Sequence, residues 1–428
     1  MSSELITGIG ELWSVDPQVS EDPALGYGCG VLADAAVVIE DGRFAWVGPA
    51  AAAPAADTPC EVGGRAALPG WVDSHSHLVF AGDRASEFAA RMAGQSYAAG
   101  GIGVTTAATR AASDDELRAL LASRVREAVR GGTTYLETKT GYGLSLAEEN
   151  RAARLAAEYV DEVTFLGAHL VPSEYAGGTP GHDRTAYVDL VCGPMLQSVK
   201  DLVGWADVFC EEGAFDVAES RRVLTAARDA GLGLRVHGNQ LGHSGGVGLA
   251  VEMGAASVDH VNHVSSADVD ALASSEVVAT VLPACDLSTR APLAPARDLL
   301  DAGATVAIAS NCNPGTSYTS SMNFCVATAV LQMRLTVAEA VRAATYGGAR
   351  ALRRDPDSHA SPDAGGSPEG GFHGDATHRD GRAAPVGMVR VGARADLHVL
   401  DAPSATHLAY RPGMPLTWAV WRAGERLH

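Results

Sequence analysis

Between Leu68 and Asn313 the chain repeats one pattern, a short apolar run followed by a stretch whose apolar positions recur three and four residues apart. The apolar runs are LPGWVDSHSH, GGTTYLETK, DEVTFLGAHL, WADVFCEEG, GLGLRVHGN, ASVDHVNHV, VVATVLPAC and TVAIASNCN. Each has the length of a buried strand, and most lead into a helical pattern. After Ser113, for instance, Leu117, Leu120, Leu121 and Val125 fall on one helical face. Several helices open with a hydroxyl or Asp followed three residues later by Glu, the mark of a capping box: Ser113/Glu116, Ser145/Glu148, Asp216/Glu219 and Thr336/Glu339. Eight strands alternating with helices over about 280 residues is the arithmetic of an α/β fold, a (β/α)8 barrel.

The ends of the chain differ. GCGVLADAAVVIEDGRFAWVG is cut by Gly into strand-length pieces, with Asp41-Gly42 as a hairpin turn. GMVRVGARADLHVLD and LTWAVWRAGERLH repeat that texture near the C-terminus, so the two ends are expected to pair into one small β domain. Residues 354–385 lose all periodicity and are rich in Gly, Pro, Ser, Asp and His. Their histidines, His359, His373 and His378, are irregularly spaced among Gly and Pro, which marks a flexible, solvated insertion rather than a metal tract.

Composition narrows the function. With 46% hydrophobic and 19% charged residues, the 428-residue chain can form a sizeable core. Its 51 acidic against 32 basic residues leave a net charge of −19, which opposes binding to nucleic acid or to an anionic membrane surface. No apolar run approaches the ~18 residues of a membrane span. The opening MSSELITGIGELWSVDP lacks the basic and apolar regions of a signal peptide. Seven scattered cysteines without a CxxC pair suit reduced thiols, and the expectation is a cytoplasmic protein.

In such a barrel the chemistry belongs at the C-terminal ends of the strands. There the sequence places His75-Ser-His77, His169, His237, His260 with His263, and Ser310-Asn311-Cys312-Asn313. His75 and His77 point to the same side of their strand, about 7 Å apart along it. A lone strand histidine is ordinarily a hydrogen-bonded core residue, and that is the expectation for His263. Two imidazoles on one face with a third at a later strand end are explained together by metal ligation, with an open position for water. A second metal bridged by a carbamylated lysine is not expected, because the two lysines, Lys139 and Lys200, lie outside the fourth strand. Glu211 and Glu212 end that strand, where capping or ion pairing is the ordinary role for a carboxylate.

LPGWVDSHSHLVFAGDR, TKTGYGL, TFLGAHLVP, VHGNQLG, SVDHVNH and NCNPGTS together resemble the imidazolonepropionases, metal-dependent ring hydrolases of the amidohydrolase superfamily. The resemblance covers about residues 65–350, in the family's order. It implies an amidohydrolase-type barrel over 67–353 and a composite β-sandwich domain built from 1–66 and 386–428. It also implies one divalent metal per chain, Zn2+ or Fe2+/Fe3+, held by His75, His77, His237 and the residue at position 311. The small-molecule substrate would be imidazolone propionate: Arg84 would hold its propionate, as guanidinium and carboxylate pair bidentately. Tyr142, His169 and Gln240 would contact the ring, while Asn313, Gly315 and Thr316 would complete the pocket. His260 would orient water or polarise the ring carbonyl. The product would be N-formimidoyl-glutamate, from histidine breakdown, and the assembly a homodimer.

The sequence departs from that pattern at the eighth strand. The superfamily has an Asp there, as metal ligand and general base, where this chain reads AIASNCNPG with Asn311. A neutral amide can coordinate through oxygen but cannot take a proton near pH 7. Loss of a general base costs about 10²–10⁴-fold in rate, so impaired turnover is expected. Two other readings follow from the same residues: another cyclic amidohydrolase or deaminase, and a catalytically inactive ligand-binding relative. Arg84 argues against the first, since it would be idle on a neutral ring; only Asn311 favours the second.

Overall fold

The computed structural model describes residues 3–16, 29–94, 101–177, 181, 183–356, 358 and 384–428. Its first four strands are β1 (Ser3–Trp13), β2 (Val31–Glu40), β3 (Arg43–Pro49) and β4 (Thr58–Pro69). The eight apolar runs then supply β5 (Trp71–Asp73), β6 (Thr133–Lys139), β7 (Glu162–Ala168), β8 (Trp205–Cys210), β9 (Gly233–Gly238), β10 (Ser257–His260), β11 (Val278–Val281) and β12 (Val306–Ile308). All eight are parallel, in sequential order. Such strands are covered on both faces, which is why they read as continuous apolar runs. Every residue of β6 and β7 is buried.

Contacts just past β5 and β12 bring the ring's two ends together. Asn311 N donates to His75 O and His77 N to Cys312 O, both at 2.9 Å. Asp73, fully buried, accepts from Ser310 N at 3.0 Å and from Ser310 Oγ at 2.5 Å. Most connecting helices start as their caps predict. Asp216 and Thr336 form complete capping boxes, and Ser113 and Ser145 accept from the Glu backbone N–H. Ser265 with Asp268 forms a further box that the Glu-based pattern did not single out.

The remaining strands are β13 (Leu397–Leu400), β14 (Thr417–Arg422) and β15 (Glu425–Arg426). They join the N-terminal ones in a seven-stranded sheet, ordered β15-β14-β13-β4-β1-β2-β3. The Asp41-Gly42 hairpin turn joins β2 to β3 with both residues at positive φ. Register shifts in β1 between Ile6 and Ile9 let the sheet bend around its own core of Ile6, Ile9, Leu12, Val37, Phe44, Leu397 and Trp421. Of GMVRVGARADLHVLD, only Leu397–Leu400 is a strand. The residues before it form turns, with Ala393 N bonded to Arg390 O at 3.0 Å and Asp396 N to Arg394 O at 2.8 Å. Most of the expected insertion at 354–385, with His359, His373 and His378, lies outside the described residues.

The sheet meets the barrel at the N-terminal ends of β5–β7, away from the polar strand ends. Arg394 is the hub, pairing with Asp161 at 2.9 Å and Asp396 at 2.8 Å and donating to Thr134 O at 2.7 Å. Arg422 adds a second contact to Asp161 at 2.9 Å. Nearby, the edge of Trp71 packs on the His398 ring, with centroids 5.4 Å apart. Gly132 precedes β6 at φ +96°, and a Cβ there would lie 2.4 Å from that ring, so only glycine fits. Removing one member of a buried ion cluster strands the others. Arg394→Met is therefore expected to cost about 3–5 kcal/mol of stability in denaturant titration, whereas truncating the exposed Arg130 is expected to change little.

Candidate active site

The strand ends of the barrel converge on three imidazoles. His75 and His77 follow β5 directly, and His237 lies within β9. His77 Nε2 is 3.3 Å from His75 Nε2 and 3.4 Å from His237 Nε2. One nitrogen from each of the three rings lies within 4.8 Å of the others, and all three residues are buried. Burial and Lys139 push His75 down to about 3; burial with the neighbouring rings holds His77 well below its ordinary range. Both are neutral at physiological pH, the form that ligates metal.

Carboxylates behind the rings fix their orientation. His75 Nδ1 donates to Asp259 Oδ2 at 2.7 Å, and His237 Nδ1 lies 2.9 Å from Asp207 Oδ2. A proton on His75 Nδ1 leaves its Nε2 lone pair facing the space that His77 Nε2 and His237 Nε2 also border. Without a cation such convergent lone pairs repel, so the donor set fits a metal ion. Beneath it lie Glu137, Asp207 and Asp259 against Lys139 and Arg235, all buried, three carboxylates to two cations. Burial opposes charge on Asp207, yet His237 and Lys139 hold it well below the usual carboxylate range; Arg235 and His75 do the same for Asp259.

The other expected residues surround this centre. His260, at the end of β10, has its ring centroid 5.4 Å from that of His237 and 5.7 Å from that of His75. Its Nδ1 is buried with no hydrogen-bond partner among the described residues. The His169 ring stacks on His77 at 5.4 Å, and Tyr142 lies 5.4 Å from His169. Because His169 Nδ1 must donate to Gly141 O at 2.9 Å, its Nε2 is an acceptor; burial pushes the ring down to about 4. Asn311 Nδ2 faces Thr316 Oγ1 at 3.4 Å, and Asn311 Oδ1 is buried without a hydrogen-bond partner among the described residues. Asn313 accepts from the N–H groups of Gly315 and Thr316, both at 2.8 Å, and folds the loop.

Arg84 lies against that loop. A Cβ on Gly315 would come within 2.2 Å of its Nη1, so glycine at 315 makes room for the guanidinium. Arg84 is almost fully buried and already pairs with Glu87 through Nε (2.8 Å) and Nη2 (2.6 Å). Gln240 is placed through its backbone, whose N–H donates to Glu211 Oε2 at 2.8 Å. His263 departs from its expected core role: it is only half-buried, beside His243 on the loop after β10.

Sequence reasoning missed the charged layer and the residues that hold the loops. Asp207, Arg235 and Asp259 each interrupt an otherwise apolar strand run, a signal that could have flagged them. Glu149 accepts from the N–H groups of Gly141, Gly143 and Leu144, fixing the loop that carries Tyr142. Glu211, which the sequence placed at the end of the fourth barrel strand with a capping or ion-pairing role, instead accepts from the N–H groups of Gln240 and Leu241. Arg91 grips Gly315 O with both terminal nitrogens at 3.0 Å. The backbone turns sharply past the strands: Asn239, His260, Val261 and Asn311 all have positive φ. For a β-branched residue such as Val261 that is a strained conformation.

The amidohydrolase family matches residues 66–358. An imidazolonepropionase of Arthrobacter sp. (strain FB24) is 62% identical, with 99% of this chain and 99% of that protein covered. One from Saccharopolyspora erythraea is also 62% identical over 100% of this chain and 99% of its own length. Among solved structures, a mutant atrazine chlorohydrolase from Arthrobacter aurescens, complexed with zinc and atraton, superposes with a TM-score of 0.68 at 18% identity, covering 99% of this chain and 95% of that one.

One more carboxyl ties the rim together. Asp286 accepts from Asn262 Nδ2 at 2.7 Å and from Ala294 N at 3.2 Å, joining the loops after β10 and β11. Burial pushes it from an ordinary 3.8 up to about 7. Between those values the folded chain keeps a proton that the unfolded chain has lost, so this contribution is full below the lower value and falls as pH rises towards the upper one. In denaturant titrations from about pH 4 to 8, the parent is expected to lose stability relative to Asp286→Asn up to about 7 and to run parallel above it. A constant offset across that range would show that Asp286 is ionised throughout.

Proposed function

The chain belongs to the amidohydrolase family and, within it, to the imidazolonepropionases, and from that premise we propose how its residues perform the reaction. The activity is hydrolysis of a ring C–N bond of imidazolone propionate, in histidine degradation. The observation that carries the site assignment is the convergence of the His75, His77 and His237 nitrogens over a buried, net-negative layer.

The enzyme uses a divalent metal. We assign one ion, zinc or iron, to His75, His77 and His237, with Asn311 Oδ1 as a neutral fourth donor. When bound, it supplies Lewis-acid activation of water and of the ring carbonyl. Arg84 binds the propionate through Nη1, which makes no hydrogen bond among the described residues, while Glu87 holds Nε and Nη2. His169 Nε2, an acceptor, takes a hydrogen bond from a ring N–H. Tyr142 packs against the ring, Gln240 bonds to it, and Asn313, Gly315 and Thr316 close the far side. Asn311 cannot accept a proton, so His260 takes it from water and returns it to the departing ring nitrogen. A homodimer in the cytoplasm belongs to the same reading, and seven unpaired cysteines accord with a reducing compartment. So does a domain division at 1–66 with 386–428 around 67–353, supported by the sheet that the two chain ends share.

Two substitutions test these assignments with imidazolone propionate and metal-loaded protein. Arg84→Met is expected to lower kcat/KM about 10- to 100-fold, mainly through KM. Asn311→Asp is expected to raise kcat by about 10²–10⁴-fold. Comparable rates for parent and Asn311→Asp would make a base at 311 dispensable. Ring opening by neither, with metal bound, or faster turnover of a neutral cyclic ureide, would overturn the substrate.

A further inference from the structure

Lys139 ends β6 and is completely buried, yet nothing in the reaction above uses it. Its Nζ lies 2.9 Å from Glu137 Oε1, 3.0 Å from Asp207 Oδ2 and 3.9 Å from Asp259 Oδ2. Asp207 Oδ2 is the oxygen that faces His237 Nδ1, and Asp259 Oδ2 is the oxygen that binds His75 Nδ1. One ammonium therefore sits among the carboxylate oxygens that orient two histidines carried on different parts of the barrel. We propose that Lys139 is a positioning residue for the metal centre, the common anchor through which Asp207 and Asp259 aim His237 and His75 at one point.

Three features support this assignment, which rests on the metal-site reading above. First, the anchor is rigid: Glu137 also accepts from Ser76 N at 3.1 Å and from Thr164 Oγ1. Second, Lys139 N donates to Ser76 O at 2.9 Å, so the residue is tied by its backbone to the turn between His75 and His77. Third, the geometry suits a compact ammonium: Nζ donates to Glu137 Oε1 at 2.9 Å and lies 3.0 Å from Asp207 Oδ2, with Asp259 Oδ2 within ion-pair range at 3.9 Å. Arg235 makes its direct ion pair with Asp259, at 3.1 Å, and donates to Ser74 O at 2.7 Å. Asp207 takes its cation from Lys139.

The test measures metal binding and imidazole tautomers rather than turnover alone. Zinc affinity by chelator competition is expected to fall about 10- to 100-fold in Lys139→Met, the range for lost partners of ligating histidines. In the metal-free protein, 15N shifts of the imidazoles should show His237 moving from a single Nδ1–H tautomer to a mixture, with His75 changing less because Arg235 remains. Lys139→Arg should not restore affinity. If Lys139→Met does not fold, the charge-balanced Lys139→Met/Glu137→Gln variant takes its place. Zinc affinity within twofold of the parent, with unchanged tautomers, would overturn the proposal. Parent protein that binds no zinc would instead overturn the metal-site reading beneath it.

Discussion

Three imidazole lone pairs held towards one small space repel one another, and much of the barrel's interior is arranged to withstand that repulsion. The rings cannot turn away, because His75 is hydrogen-bonded to Asp259 and His237 faces Asp207 at close range. Those carboxylates would be costly to bury alone, so Lys139 and Arg235 are buried with them. The net negative charge left in this layer makes a cation above it favourable. Apolar barrel packing accounts for the fold, whereas this charged layer accounts for its orientation towards chemistry.

The loops are controlled by a second recurring device. A barrel presents its loops at one end, but loops move unless their backbone groups are satisfied. Here buried carboxyl groups do that work: Asp73 binds the start of the eighth loop, Glu149 the loop of Tyr142, Glu211 the loop of Gln240, and Asp286 the rim beyond β11. Burial raises several of them, to about 6 for Asp73 and about 7 for Asp286. The rim is thereby made rigid at the expense of sensitivity to pH. Positive φ at His260, Val261 and Asn311 adds local strain at the points where side chains must turn inward.

The second sheet touches none of this chemistry. It covers the opposite end of the barrel through Arg394, Arg422 and the Trp71–His398 contact. There it packs on the fully buried Trp71 and binds Thr134 O and Asp161 at the strand starts. Glu162 extends the same logic at the start of β7, accepting from Tyr135, Trp205 and Arg354.

The periodicity of the sequence specified the barrel, because eight apolar runs of strand length leave little choice but a parallel sheet covered on both faces. Residue type also marked His75, His77 and His237, since imidazoles at strand ends are rare enough to stand out. The charged layer was not evident in the same way. Lys139, Asp207, Arg235 and Asp259 lie up to 120 residues apart in sequence; the last three each resemble an isolated anomaly in an apolar run, and Lys139 simply ends the polar-rich TTYLETK. Their pairing exists only once the strands are parallel, adjacent and in register, so that alternate side chains meet inside the ring. The Glu87 contact to Arg84 and the Gly315 gap beside it belong to the same class. Local sequence sets which backbone conformations are cheap, but burial, charge pairing and close approach depend on neighbours that folding alone brings within a few ångströms.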